Sequence, residues 1–562
     1  MKLSSPLVAI IMVTLFVSCI DRHPVADMII FNATIHTLSD KEPKAEALAV
    51  KDGKIVYVGN NLNANTWLGD STEVLDLKGK TVVPGFIDGH AHMMDLGFSF
   101  LNLDLSKAKS YPEIIQMVKS KVDSSKKGEW IIGEGWHQDK WDSLPSTMVK
   151  GFPVHDSLSL ISPNNPVVLM HASGHVSLIN ERAMKRAKIS AKTENPIGGE
   201  IIKTEEGAPT GILNESAQRI INKIIPQPSD EKKIEALNLA IEECLSNGIT
   251  ALHDARVSQK TITLYESFLA NKMLKIRIYA MLDGSDEALL KHWFQNGPKT
   301  DSEFLTVRAI KLYADGALGS RGALLLEEYT DAPGETGLKI ASSDHILRVS
   351  QEAYAKGFQI ATHCIGDRAN REILNIYKIV LQSDTTKANP RFRIEHAQHI
   401  STDDIPRFGQ LGVIPSMQAI HMSSDRPWAI DRLGEERINE GAYVWRKLID
   451  SGATIVNGTD APVEPINPIA NFYASVSRKT LEGEPEDGYE PDQKMTRMEA
   501  LKSMTCNNAY GSFQEDIKGK IEIGKLADFT ILSQDILTVK EQEILQTQIE
   551  YTIVNGEVMY KR

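Results

Sequence analysis

The sequence predicts an α/β protein built on a (β/α)8 barrel, with strand-rich segments at both ends of the chain. In the middle of the chain, helical stretches alternate with short apolar runs that end in polar residues. These runs are 81–87, 276–281, 307–312, 358–362, 392–395, 412–416 and 454–457. Parallel strands with crossover helices produce this alternation, and the number of units fits a closed barrel better than an open sheet.

Length and composition agree with a large folded body. The chain has 562 residues, of which 42% are hydrophobic and 24% charged, so it can bury the core of a barrel with additions. The 62 Lys and Arg residues against 74 Asp and Glu residues give a net charge of −12. Nucleic acid is therefore excluded as an expected partner, because a binding protein of that kind needs a basic surface.

The two ends and one internal stretch differ from the barrel pattern. Short alternating strands are predicted within 27–83, and similar segments recur in 511–562, so the barrel is assigned to 84–510. The stretch from about 102 to 246 has its own Pro- and Gly-punctuated organisation, which predicts an insertion or lid within the barrel.

The first residues have the features of an export signal. Lys2 precedes an apolar run over 7–17, which is too short to span a bilayer and suits the hydrophobic part of a signal peptide. Ser18 before Cys19 resembles the lipobox of bacterial lipoproteins, which predicts a signal peptide over 1–18, lipid attachment at Cys19 and a membrane-anchored protein of the cell envelope. An ordinary secretory signal is the alternative. If Cys19 carries the lipid, three widely spaced cysteines remain, so the sequence predicts no disulfide framework.

Ionisable residues fall at the predicted strand ends, where barrel enzymes carry their chemistry. His90 and His92 are two apart, so in an extended segment both imidazoles project to the same side and can reach one cation. Further along the chain, other predicted strands end in Lys311, His363, His396 and Asp460. Each has an alternative structural role, as a core histidine, a helix cap or a counter-ion. These roles would require that five strands end in metal-binding residue types by chance.

These residues carry a resemblance to a known family. The sequence resembles the amidohydrolase superfamily in four features: PGFIDGHAH over 84–92, the strand-end histidines, GTD over 458–460 and GKIEIGKLAD over 519–528. Four more motifs resemble its amidohydrolase 3 branch, of the YtcJ-like and N-substituted formamide deformylase type: GEGW (133–136), HASGH (171–175), GIT (248–250) and KLYADGALGSR (311–321). The resemblance implies a metal-centred TIM barrel with a small composite β-sandwich formed by the N- and C-terminal segments.

The resemblance also implies a ligand set. His90 and His92 match the first-strand ligands of the more buried metal, His363 and His396 match the fifth- and sixth-strand ligands, and Asp460 matches the eighth-strand carboxylate. Lys311 matches the position at which relatives can carry a carboxylated lysine that bridges two metals. The expected cofactor is Zn²⁺ or a similar divalent metal, as one ion or two. His399 is a competing candidate that lies past the predicted strand end.

The expected activity is hydrolysis of a C–N bond in a small amide or N-formyl compound. A dication lowers the pKa of a bound water toward roughly 7, and Asp460 acts as general base and then as general acid toward the leaving amine. Candidate substrate-binding residues are Trp136, His171, His175, Arg321 and Glu464. Their alternative roles are structural. Trp136, His171 and His175 could pack within the fold, Arg321 could form a salt bridge to Asp315, Glu327 or Glu328, and Glu464 could cap a helix.

Other functions stay open at this point. A deaminase or a cyclic amidohydrolase would use the same metal on a heterocycle, and a non-catalytic exported binding protein would keep the barrel as a ligand cup. Cys364 beside His363 is a weaker candidate nucleophile, since buried cysteines are usually inert. The sequence leaves the oligomeric state open.

Overall fold

The computed structural model describes residues 25–384, 386 and 388–562. The predicted signal peptide over 1–18 and the predicted lipid site at Cys19 lie outside these residues. Among the described residues, no helix combines the length and apolar character that crossing a bilayer requires.

Eight parallel strands form a nearly closed barrel, and their order in the sheet follows their order in the chain. From first to eighth they are Phe86–Ala91, Ile249–Val257, Arg277–Asp283, Leu305–Tyr313, Gln359–Cys364, Arg393–His396, Ile414–Met417 and Val456–Asn457. Two backbone hydrogen bonds link the eighth unit to the first, from Asp460 N to His90 O (2.7 Å) and from His92 N to Ala461 O (2.8 Å). The predicted (β/α)8 barrel is confirmed.

Two details of the strands differ from the expectation. The run 81–87 is interrupted at Gly85, so that Thr81–Pro84 joins the sandwich and Phe86–Ala91 starts the barrel. The second strand, Ile249–Val257, was not among the predicted runs, because it carries His253 and Asp254, both buried in the folded protein.

Helices cover the outside of the barrel and the loops at its ends. They are Met93–Ser99, Asp230–Ser246, Gln259–Ala270, Glu287–Asn296, Ser343–Lys356, Asp367–Ser383, Ile405–Leu411, Ala419–Gly441, Trp445–Asp450, Pro468–Ser477, Arg497–Ser503 and Cys506–Gly511, with a 3-10 turn at Pro491–Gln493. Asp367–Ser383 shows why they pack: Ala369, Ile373, Tyr377 and Val380 recur at helical spacing and are buried.

Both chain ends contribute to a β-sandwich. One sheet has the order Lys54–Gly59, Ala47–Lys51, Met28–Phe31, Glu73–Asp76; the other has the order Glu557–Lys561, Ile549–Val554, Phe529–Leu532, Thr81–Pro84, Thr34–His36, Lys44–Ala45. Short helical segments lie at Asn61–Ala64, Asn65–Trp67 and Glu541–Gln546. Ile30 and Leu48 of the first sheet share a core cluster with Val82, Phe529 and Ile553 of the second.

A second sheet-based unit lies between the first and second barrel strands. Its six strands have the order Gly199–Lys203, Pro209–Glu215, Val176–Ile179, Val167–His171, Ile131–Trp136, Leu103–Asp104. It also contains the helices Tyr111–Ser124, Asp156–Ile161, Glu181–Ala187 and Gln218–Asn222, the 3-10 turn Gln138–Lys140 and the hairpin Met148–Val149 with Phe152–Pro153. Asp230–Ser246, which the sequence assigned to the insertion, packs against the barrel helix Met93–Ser99.

The interior of the barrel is filled below its carboxyl end. Ala255, Tyr279, Met281, Ala309 and Ala361 come from four successive strands and form one buried cluster. Small and large side chains thus occupy the barrel axis, as in other barrels of this type. The space for chemistry is therefore above this layer, at the strand ends, where the inserted unit covers the barrel.

Candidate metal centre

The carboxyl ends of five barrel strands bring the predicted ligands together. The Nε2 atom of His90 lies 3.5 Å from Asp460 Oδ1, and that of His92 lies 3.1 Å from the same oxygen. The His396 ring lies 5.0 Å from the His90 ring and 4.5 Å from the His363 ring, between centroids. Six side chains therefore converge: His90, His92, Lys311, His363, His396 and Asp460.

Hydrogen bonds fix which ring nitrogen two of these histidines offer. His92 Nδ1 lies 3.1 Å from the carbonyl oxygen of Ala255, which can only accept, so Nδ1 carries the proton. His396 Nδ1 lies 2.7 Å from Gln418 Oε1 and donates to it. In a neutral imidazole the other nitrogen then has a free lone pair, so both rings offer Nε2 toward the centre.

His90 is held by a carboxylate that the sequence analysis did not assign. Its Nδ1 pairs with Glu395 Oε2, and the Arg393 guanidinium binds both oxygens of Glu395 at 2.6 and 2.9 Å. All three side chains are fully buried. Burial alone would raise the pKa of Glu395, but Arg393 and His90 hold it well below its usual range. A carboxylate behind a ligating imidazole orients the ring and increases its basicity.

The contact between His92 and Asp460 fits a bound cation. His92 Nε2 and Asp460 Oδ1 are both acceptors, yet they lie 3.1 Å apart. Asp460 Oδ1 is buried and makes no hydrogen bond within the described chain. Two acceptors at this distance repel unless a positive charge lies between them. His90, His92 and Asp460 together place three ligand atoms within 4.8 Å of one another, close enough to share one ion.

Backbone strain coincides with this centre. His396 (φ 73°) and Asp460 (φ 60°) both adopt left-handed backbone, which costs energy for residues with a side chain. Asp88 supports the second of these positions, because its carboxylate accepts hydrogen bonds from the Thr459 hydroxyl at 2.7 Å and the Thr459 amide at 3.2 Å. Such strain is typical of functional positions that the surrounding structure holds in place.

Lys311 is buried beside the first-strand ligand. Its Nζ lies 3.1 Å from His90 Nε2, and its side chain is 1% exposed. Burial lowers the pKa of Lys311 to about 8, although Glu395 and Asp460 raise it. A buried amine at this position is partly neutral near physiological pH, which is the form that can react with CO2.

His363 faces a second buried carboxylate. Its Nε2 lies 3.7 Å from Asp315 Oδ1, and Asp315 accepts backbone hydrogen bonds from Leu324, Ile365 and Gly366 at 2.8 to 3.0 Å. Burial raises the pKa of Asp315 to about 7. Asp315 therefore ties the fifth strand end to the loop after the fourth strand.

The structure adds His421 to the centre and leaves His399 outside it. His421 Nε2 lies 3.9 Å from Asp460 Oδ2, and His396, His421 and Asp460 form a second group of possible ligands. His421 follows the seventh strand by four residues, so its position after a predicted strand was the available signal. His399 instead lies 3.5 Å from Asp367.

A cavity of about 1050 Å³ opens above the centre, between the barrel and the inserted unit. Three of the residues predicted to bind substrate, His171, His175 and Glu464, line it together with His92, Lys311 and Asp460. Glu464 accepts a hydrogen bond from Ser424 Oγ at 2.5 Å and lies 3.7 Å from Lys140 Nζ. The volume is at the upper end for small-molecule sites, so the cavity holds more than a simple amide.

Two predicted substrate-binding residues do not line this cavity. Trp136 is 1% exposed and donates its Nε1 proton to Leu169 O at 2.9 Å within the core of the inserted unit. Arg321 binds Asp331 through two nitrogens, at 2.7 and 3.1 Å, rather than any of the three acidic residues that the sequence suggested. Packing and a salt bridge account for these two side chains.

His175 reaches the centre from the inserted unit and is held by Glu215. Its Nδ1 lies 2.8 Å from Glu215 Oε2, and its ring lies 5.3 Å from the His363 ring. Burial would lower the pKa of His175, but the Glu215 carboxylate raises it above its usual value. A Cβ at Gly316 would lie 2.0 Å from Glu215 Oε1, so glycine is needed there for the carboxylate to fit.

Comparisons with known proteins agree with this geometry. The profile of the amidohydrolase family matches residues 73–560. The putative amidohydrolase YtcJ of Bacillus subtilis is 32% identical over 94% of this chain and 98% of its own length. The N-substituted formamide deformylase of Arthrobacter pascens is 27% identical over 95% and 98%, respectively. The crystal structure of an uncharacterized metal-dependent hydrolase from Pyrococcus horikoshii OT3 has a TM-score of 0.73 and 29% identity, and covers 92% of this chain and 99% of its own.

Proposed function

The chain belongs to the amidohydrolase family and is a metal-dependent hydrolase of C–N bonds, and from that premise we propose that its substrate is a non-peptide amide or an N-formyl compound. The observation that carries the proposal is the 3.1 Å contact between the two acceptors His92 Nε2 and Asp460 Oδ1. A cation bound between these two atoms would remove their repulsion, and both residues line the 1050 Å³ cavity in which a substrate would bind.

The metal would be held by His90, His92, His363, His396 and Asp460. Nitrogen and carboxylate ligands of this kind suit Zn²⁺ or a similar dication. A divalent ion bound there supplies Lewis acidity, which lowers the pKa of water toward roughly 7 and polarises the amide carbonyl. A carboxylated Lys311 would add hard oxygen ligands beside His90. Such ligands would support a second ion.

Asp460 moves the proton in this proposal. Its carboxylate accepts a proton from the attacking water and delivers it to the nitrogen of the leaving amine, so one group acts as base and then as acid. The position supports this role, because the carboxylate is 9% exposed, lines the cavity and has one oxygen without a hydrogen bond in the described chain.

His175 stabilises the substrate oxygen. Glu215 binds Nδ1 of its ring, so Nε2 remains for a contact in the cavity. As the amide carbon becomes tetrahedral, negative charge develops on its oxygen, and a donor that is already oriented lowers the barrier. Glu215 also lines the cavity, and the role proposed for it is to position the His175 ring.

The test is a panel of amides, N-formyl compounds and heterocycles, assayed with metal-loaded wild type, Asp460→Ala and Asp403→Ala. Asp403 is 87% exposed and serves as the control. We expect amide or N-formyl hydrolysis that Asp460→Ala abolishes and Asp403→Ala retains. Equal turnover by wild type and Asp460→Ala would contradict the role of Asp460, and ammonia release from heterocycles alone would favour a deaminase or a cyclic amidohydrolase.

We also propose that residues 1–18 are a lipoprotein signal peptide and that Cys19 carries the lipid anchor in the cell envelope. The support is the apolar run over 7–17 with Ser18 directly before Cys19. Expression in a bacterium with a radiolabelled fatty acid should label wild type and a Cys506→Ala control but not Cys19→Ala. Equal labelling of Cys19→Ala would contradict the anchor.

A further inference from the structure

A small alcove adjoins the metal centre and shares His137, His171 and Glu464 of its lining with the main cavity. It is lined by His137, His171, Leu318, His421, Asp425 and Trp428, and it adjoins His363, His396 and Asp460. Its volume is about 60 Å³, against about 1050 Å³ for the main cavity. The alcove therefore admits a group of roughly four water-sized units, since one water needs about 15 Å³ by this measure.

Two residues that line the alcove carry an N–H donor without an acceptor in the described part of the chain. The backbone amide of Ser173 donates to His171 Nδ1 at 3.1 Å, so Nδ1 is unprotonated and the ring proton is on Nε2. His171 Nε2 is buried, and no hydrogen bond to it is found within the described residues. The same holds for Trp428 Nε1, which can only donate. A buried donor without an acceptor is costly, and both nitrogens belong to residues that line the alcove, so an oxygen placed there can serve as their acceptor.

The rings of these two donors flank one imidazole. The His137 ring lies 4.4 Å from the His171 ring and 5.7 Å from the Trp428 ring, between centroids. Gly319 lies close to the Trp428 ring, since a Cβ at Gly319 would lie 3.2 Å from it. The inserted unit and the helix Ala419–Gly441 thus each bring one donor to the same alcove.

The charges around the alcove favour an uncharged oxygen. Asp425 and Glu464 both line it, and its one lysine, Lys140, lies 3.7 Å from Glu464. A carboxylate on the ligand would meet the carboxylates of Asp425 and Glu464, which both line this space. A hydroxyl group avoids this repulsion, since it can accept from His171 and Trp428 and donate to Asp425.

We propose that the alcove is a substrate subsite for a short substituent that ends in a hydroxyl group, attached to one side of the scissile amide, while the main cavity holds the larger substituent on the other side. This inference rests on the proposed amide hydrolysis and extends it to the substrate class. The enzyme then favours substrates with the hydroxyl group, because a methyl group in place of the hydroxyl leaves the His171 and Trp428 donors without an acceptor.

Two matched pairs of amides test the subsite. The first pair carries a 3-hydroxypropanoyl or a butanoyl group on one aromatic amine, and the second carries an N-(2-hydroxyethyl) or an N-propyl group on one aromatic acid. Each pair differs only by a hydroxyl against a methyl group, and together they cover both orientations of the amide. Dissociation constants from calorimetry and kcat/KM values are measured with metal-loaded protein, so that binding is read even where an amide is not hydrolysed.

The variants are Trp428→Phe and His171→Phe, each of which removes one donor and keeps an aromatic ring. Trp445→Phe is the matched control, because Trp445 is fully buried with an Nε1 that lacks an acceptor within the described chain but lies outside the cavity. We expect wild type and Trp445→Phe to favour the hydroxyl compound of one pair by at least about tenfold, and each alcove variant to reduce that ratio about tenfold or to unity.

The outcomes separate the two proposals. Absence of hydrolysis of all four amides counts against the proposed function, and the ratios of dissociation constants still decide the subsite. A wild-type ratio near one in both pairs, no binding of any of the four amides, or a ratio that Trp428→Phe and His171→Phe both leave unchanged would overturn the subsite.

Discussion

The Nζ atom of Lys311 lies 3.1 Å from the Nε2 atom of His90, although the two residues belong to the fourth and first barrel strands. An ammonium group and a metal ion cannot both occupy the space in front of His90 Nε2 without repulsion. A metal bound by His90 would therefore be coupled to the chemical state of Lys311, and a carbamate would remove the conflict because it replaces a positive charge with oxygen ligands.

The first prediction concerns bicarbonate. Metal uptake by chelator-treated wild type should increase when bicarbonate is added, and Lys311→Met should bind less metal and show no response to bicarbonate. Metal per chain, measured by mass spectrometry after dialysis, reads both effects. An unchanged metal content in Lys311→Met, or a bicarbonate response that survives the substitution, would exclude a carboxylated Lys311 as ligand.

The second prediction concerns the carboxylate behind His90. Glu395→Gln should weaken metal binding about 10- to 100-fold, because His90 loses the charged partner of its Nδ1. It should also lower the free energy of unfolding by about 3 kcal/mol, since Arg393 remains buried without its counter-ion. Metal titration and urea unfolding measure the two effects. The control Glu287→Gln breaks an exposed pair with Arg348 and should cost less than about 1 kcal/mol.

The third prediction concerns Glu215 as a positioning residue. Glu215→Gln should lower kcat about tenfold to a hundredfold while KM and metal content change little, because His175 keeps its place but loses the charge that supports it. In the His175→Ala background the same substitution should have no further effect on kcat. Additive losses in the double variant would show that Glu215 acts independently of His175.

The fourth prediction is a pH dependence of stability. Glu134 accepts a hydrogen bond from Asn102 at 2.6 Å, and burial raises its pKa to about 7 from an ordinary 4.5. The folded protein binds this proton more tightly than the unfolded chain. The protonated Glu134 therefore makes its full contribution to the free energy of unfolding below pH 4.5, and this contribution is lost as pH rises through 7. The free energy of unfolding of Glu134→Gln should therefore rise by roughly 2.5 kcal/mol relative to wild type between pH 5 and pH 8, measured by urea unfolding. The same difference at both pH values would contradict the shift.

The fold was largely predictable because buried parallel strands appear in sequence as short apolar runs. The second strand, Ile249–Val257, escaped this criterion because its buried residues include the polar residues His253 and Asp254. Asp254 accepts hydrogen bonds from the Met93 amide and the Tyr265 hydroxyl, and these partners lie 161 and 11 residues away. Such compensation depends on tertiary contacts that a local pattern does not contain.

The convergence of the strand ends was predictable, but the groups that support the ligands were less so. Glu395 had a visible signal, as a charged residue inside a predicted buried strand next to His396. Glu215 had none, because it meets His175 across two strands of the inserted unit and the loop around Gly316. Trp136 was assigned to substrate by its motif, whereas its indole packs in the core of the inserted unit.

The central claim is that the histidine and aspartate cluster holds a divalent metal that the hydrolysis of an amide requires. The most direct measurement is the rate of hydrolysis of an accepted amide as Zn²⁺ is titrated into chelator-treated protein. We predict no turnover without metal, and a rise that saturates at one or two ions per chain in wild type and is absent in His92→Ala. Undiminished turnover by the metal-free protein, or equal activation of His92→Ala, would contradict the claim.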